Sequence, residues 1–184
     1  GLVAIHDQKS DRVWTELAWS HDSIEWSRID IGNPLIPNSE KKFDYDYGCI
    51  YAAAKPIIKN NEIQIFYGGS DYLHSGWRNG SFNLATLRPD GFAGYVQEDL
   101  GKKGLIVTKP IKFNGNSLKL TADVDKGGSI KVYVFNCKGD QISSSKYIKR
   151  TITDENIEFY EEISEENISL KIVIKKAKVY SFKI

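Results

Sequence analysis

The sequence predicts an all-β chain built from two modules. Three observations carry this reading. Short runs of alternating β-branched and aromatic residues recur from end to end, no segment keeps a helical period over several turns, and turn chemistry separates the runs. In the first half, residues 13–20, 24–30, 49–59, 62–68, 82–88 and 94–97 read as strands. Asn60-Asn61 tolerates positive φ and predicts a tight hairpin. Pro89-Asp90-Gly91 predicts a turn in which proline presets φ and glycine takes the left-handed position, and "SHDS" at 20–23 plays the same part earlier.

The polar, glycine-bearing stretch "QEDLGKKG", residues 97–104, reads as the junction, giving modules 1–98 and 99–184. Beyond it, 105–113, 117–124, 129–136, 168–175 and 178–184 read as strands. "SLKLTADV" and "SIKVYVFN" alternate as half-buried antiparallel strands do, which predicts a small β-sandwich. "DKGGS" and "CKGDQ" are the expected hairpin turns. Residues 151–167 hold six Glu and one Asp and read as a solvated loop or short edge strand.

Composition narrows the function classes. The 184 residues carry a net charge of +1, so no basic field points to nucleic acid. No apolar run approaches the roughly 20 residues of a membrane helix. "GLVAIHDQKSDR" has no signal-peptide architecture, and the absence of Met predicts that the chain starts inside a longer or processed product. Cys49 and Cys137 lie too far apart in sequence to suggest a disulfide framework or zinc site, and both are expected as buried thiols. Trp14, Trp19 and Trp26 alternate along strands and are expected to pack together. The "NIS" sequon at 167–169 and the Gly127-Gly128 pair carry no further chemistry, and no cofactor or metal site is predicted.

"ELAWSHDSIEWSRI", residues 16–29, resembles "NLATLRPDGFAGYV", residues 83–96: a Leu-Ala strand, a turn containing Asp, then an aromatic strand. Repeated strand–turn–strand units predict a stacked or radial β architecture. With the hairpin of 49–59 and 62–68, the second copy completes four antiparallel strands, the size of a propeller blade. The expected fold is therefore a partial β-propeller of about one and a half blades followed by the sandwich; a closed propeller needs at least about four blades.

"ELAWSHDSIEW", "FDYDYGCIYAAAKPII", "IQIFYGGSDYLH", "NLATLRPDGFAGY", "GLIVTKPIKF" and "KVYSFKI", in this order, resemble the C-terminal part of five-bladed propeller glycoside hydrolases of the broad group of families 43 and 32. The resemblance implies a carbohydrate partner, an extracellular or periplasmic location, and early blades that lie outside this chain or on another chain and cover the exposed blade edge. It also implies three catalytic carboxylates from those early blades, acid and base in inverting members standing roughly 6.5–9.5 Å apart. None of them matches a residue here. Glu16 is a tempting acid but precedes a strand of an outer hairpin, and a surface salt bridge is its expected role.

The loop after "IFYGG" then becomes the candidate substrate rim. Asp46 matches the Asp of the family's "FDxG" pattern with Tyr47 as spacer, and both stand at the entry of the expected innermost strand. Asp71, His74, Trp77 and Arg78 lie in the long connection of the same blade, where glycines allow sharp turns. Trp77 would either stack on a sugar ring or pack on a neighbouring blade; a lone His74 does not make a metal site. Two functions follow: a portion of a glycoside hydrolase-like protein that supplies rim loops without the catalytic groups, or a non-catalytic carbohydrate-binding or interaction module.

Overall fold

The computed structural model describes residues 1–114 and 117–184. Every regular element among them is a strand. The chain divides into two units, Gly1–Phe92 and Ala93–Ile184. The expected boundary lay a few residues later, and the difference has a local cause. The predicted strand at 94–97 does not continue the first unit's sheet: Tyr95 and Val96 pair with Val179 and Lys178 near the C-terminus.

In the first unit, β1 (Leu2–Asp7) and β2 (Arg12–Trp19) form an antiparallel hairpin, and β3 (Ser27–Arg28) pairs with the end of β2. A single parallel pair, Val13 with Cys49, joins β2 to β4 (Cys49–Ala52). β5 (Ile57–Lys59) and β4 both pair with β6 (Glu62–Ser70), and β7 (Gly80–Leu87) pairs with β6 on its other side. The Asn60-Asn61 turn forms as predicted, both residues at positive φ. Along β6 the period of two is clean. Ile63, Ile65 and Tyr67 face a core with Ile36 and Ile50, while Gln64, Phe66 and Gly68 face the other way.

Several local expectations are corrected. In the Pro89 turn it is Asp90, at φ 59°, that takes the left-handed conformation. Gly91 is needed for room, since a Cβ there would lie 2.7 Å from the carbonyl oxygen of Arg88. The two sequence repeats also diverge: β3 pairs with β2, but the corresponding segment after β7 joins the other unit. Trp19 and Trp26 are exposed rather than packed.

The second unit is organised by two 17-residue strands, β11 (Lys119–Phe135) and β14 (Asn167–Lys183). Leu120, Ile130, Val132 and Val134 from one, and Ile168, Leu170, Ile172 and Ile174 from the other, make a continuous aliphatic core. Burying each such side chain contributes about 1.5–3 kcal/mol. "DKGGS" is not a hairpin turn: β11 runs through it in a wide bulge between Val124 and Ser129, with Gly127 and Lys176 at positive φ. The bulge lets each long strand take different partners in its two halves. β13 (Ile152–Asn156) and β12 (Gln141–Ser144) pair with the two ends of β11. β8 (Tyr95–Val96), β9 (Gly104–Val107) and β10 (Ile111–Lys112) pair along β14. Each unit holds a seven-stranded sheet, and neither sheet closes on itself among the described residues. Cys49 is buried as expected, but Cys137 is exposed at the β11–β12 turn; both are free thiols.

Candidate functional site

One cross-strand row makes the floor of the candidate site. On the outward face of the first sheet, Gly68 of β6 stands opposite Tyr51 of β4 on one side and Phe82 of β7 on the other. Because Gly68 has no side chain, the two aromatic rings flank a trough whose base is backbone. Phe66 stacks on Phe82 with centroids 5.3 Å apart and rings 8° from parallel, which stiffens that wall. Gly69 is fixed by space: a Cβ there would lie 2.6 Å from the carbonyl oxygen of Tyr45. The loop 71–79 adds Gly76, Trp77 and Arg78 to the lining of the same concavity, with Trp77 at 90% exposure. Arg78, Ser81 and Ser70 are the polar members of this open concavity of about 730 Å³.

The loop is held by its own polar groups. Asp71 spans its base, accepting from the Asn79 amide at 2.8 Å and from Asn79 Nδ2 at 2.7 Å. Those two donations keep its carboxyl below the usual range. Ser70 Oγ donates to the Tyr72 carbonyl oxygen at 2.9 Å, and that same oxygen leaves no room for a side chain at position 48, where a Cβ would sit 1.6 Å away. Arg78 Nη1 donates to the carbonyl oxygens of His74 and Gly76. As a candidate rim residue, Asp71 thus offers a carboxylate already occupied within its loop.

His74 does not line the concavity that Trp77 lines. Its amide donates to the Asp11 carbonyl oxygen at 2.9 Å, and its ring centroid lies 4.5 Å from that of His6. Asp46 does not face open space. It is buried, and its Oδ2 accepts the Tyr67 hydroxyl at 2.9 Å. Burial first, then the Asp46 carboxylate, push the Tyr67 phenol well above its ordinary range, so Tyr67 is a committed donor. Tyr47 lies under the Arg12 guanidinium, 4.6 Å from its ring centroid, and its carbonyl oxygen accepts from Arg12 Nε at 2.8 Å. The six predicted residues therefore occupy different places. Trp77 and Arg78 share the concavity, His74 joins His6 and Asp11, and Asp46, Tyr47 and Asp71 hold the surrounding framework.

No known family, curated protein or solved structure matches this chain. The site rests on its own geometry. Tyr51 and Phe82 were missed as site residues because their partnership across Gly68 depends on register; the alternation in 49–52 and 80–87 contained their shared face, but not which residues stand opposite.

Glu16 also differs from expectation. It is fully buried, not on the surface. Its carboxylate accepts from Trp14 Nε1 at 2.9 Å, Arg28 Nε at 2.7 Å and the Gly32 amide at 3.1 Å, with Arg28 Nη2 at 2.6 Å. Burial by itself pushes this carboxyl up. The donations from Trp14, Arg28 and Gly32 outweigh it and hold the group below the usual range. Glu16 is an internal tie between β2, β3 and the following turn, with its lone pairs directed away from solvent.

Proposed function

We propose that the first unit presents a carbohydrate-binding surface, and that the chain is the C-terminal portion of a glycoside hydrolase-like propeller protein with a trailing sandwich module. The observation that carries the reading is the Tyr51–Gly68–Phe82 trough, which shares one concavity with the exposed Trp77. A pyranose ring offers apolar C–H faces to such rings, and its hydroxyls need a few directed polar partners, here Arg78 and Ser81. The described residues lining the trough include no carboxylate, so the role assigned to it is binding, and hydrolysis is assigned to carboxylates elsewhere in the parent protein. Titrating the full chain with a panel of mono- and oligosaccharides, followed by amide NMR shifts, tests this. Shifts confined to β4, β6, β7 and loop 71–79 support the reading, and a panel without shifts overturns it.

A second reading has its own observation. β7 has β6 as its one strand partner among the described residues, and its Phe82 and Leu84 are exposed. An apolar edge of this kind calls for a cover. A neighbouring propeller blade, from a preceding segment or another chain, fits that requirement. Light scattering of the chain with and without Leu84→Lys separates the two: assembly that Leu84→Lys abolishes, without saccharide binding, favours the interaction module.

A further inference from the structure

His6, Asp11 and His74 come together through two separate devices. The β1–β2 hairpin, closed by the Asp7–Arg12 pair, brings His6 Nε2 to 3.0 Å from Asp11 Oδ1. Asp11 sits at the turn with φ 55°. Its backbone carbonyl oxygen then captures the amide of His74, delivering a second imidazole from a distant part of the sequence. One ligand atom from each of the three side chains lies within 4.8 Å of the others. The carboxylate is oriented from behind: Ser75 donates to it through its amide at 2.9 Å and its hydroxyl at 3.0 Å. Outer contacts of this kind hold a ligating carboxylate in position.

We propose that these three residues bind a divalent transition-metal ion of the zinc type. Bonds of about 2.1 Å in tetrahedral geometry place ligand atoms about 3.4 Å apart. The His6–Asp11 pair is already near that spacing. The widest separation, at most 4.8 Å, closes to that spacing by a side-chain movement of up to about 1.4 Å, which rotation of an imidazole supplies. Two imidazole nitrogens and one carboxylate oxygen select a borderline ion over calcium or magnesium, which take oxygen sets. Three protein ligands leave the remaining coordination positions to water. The ion would clamp loop 71–79, and with it the segment that presents Trp77 and Arg78, to the β1–β2 hairpin. The proposal stands independently of the carbohydrate reading.

The test is calorimetric titration of the full chain with zinc chloride alone, with a parallel cobalt(II) titration read by visible absorption. The expected result is one ion per chain with micromolar or tighter affinity, and cobalt bands of a mixed nitrogen–oxygen site. Asp11→Asn suits the left-handed turn. His74→Gln keeps the backbone tether. Each should weaken binding at least tenfold and erase the cobalt bands while leaving the circular dichroism spectrum unchanged. His21→Ala removes the remaining histidine, which is exposed beside Trp19, and should change nothing. Absence of saturable binding overturns the proposal, as does binding that survives both Asp11→Asn and His74→Gln or is lost in His21→Ala.

Discussion

Replacing Glu16 by alanine removes a buried carboxylate from three sources of donors: the Trp14 indole, the Arg28 guanidinium and the Gly32 amide. Hydrogen bonds to a charged group contribute about 1.5–3 kcal/mol each, but their sum overstates the loss because the carboxylate's own desolvation is relieved. Breaking a buried pair by deleting one partner costs about 3–5 kcal/mol. Arg28 is about one-third exposed and regains water, so the lower end applies, about 3 kcal/mol. All four tryptophans lie in the first unit, so tryptophan fluorescence in urea reports its unfolding selectively. With a slope of about 1–3 kcal/mol per molar, the midpoint should fall by roughly 1–3 M. The folded carboxyl lies below its unfolded value of about 4.3, so its contribution is fully present above that value and is lost as pH falls through the folded one. The difference between wild type and Glu16→Ala should therefore be largest near neutrality and shrink below about pH 4. A midpoint shift under about 0.3 M at pH 7, or a difference that grows on acidification, would refute the assignment of Glu16 as an internal tie.

Tyr67→Phe leaves the Asp46 carboxylate without its hydroxyl donor in a buried site, and should destabilise the first unit by about 1–3 kcal/mol in the same fluorescence assay; no loss would show that Asp46 finds water instead. Gly48→Ala places a methyl group against the Tyr72 carbonyl, and the displaced loop should cost about 1–3 kcal/mol in urea midpoint analysis, with NMR shift changes concentrated in 71–79. Gly127→Ala introduces a side chain at positive φ in the β11 bulge and should lower the thermal midpoint of the second unit, corresponding to about 1 kcal/mol, as read by far-ultraviolet circular dichroism.

Local chemistry was legible and long-range meeting was not. The alternation in 62–68 specified which side chains of β6 are buried, and Asn60-Asn61 specified its turn, because both depend on neighbours in sequence. "DKGGS" has the composition of a hairpin turn, yet the chain has a long partner in β14 that pairs on both sides of it, and tertiary pairing turns it into a bulge. Gly94–Gln97 has strand character, but its composition does not say which sheet takes it. Glu16 reads as a surface residue by type; only the arrival of Arg28 and Gly32 makes its burial tolerable. The candidate loop stands out in the sequence by composition, but the places its side chains take do not. Trp77 and Arg78 line the trough, but His74 is drawn off by Asp11, a residue 63 positions earlier whose turn conformation no local pattern announces.

The role proposed for the exposed Trp77 is to stack on sugar. Titrating wild type and Trp77→Ala with the saccharide that gives the largest NMR shifts tests it most directly, with urea midpoints measured alongside. At 90% exposure the indole contributes little to packing, so the midpoint should be unchanged. Binding should weaken by about 1–3 kcal/mol, the loss expected for one aromatic stacking partner. Undiminished saccharide binding together with a large fall in the urea midpoint would contradict the account and make Trp77 a packing residue.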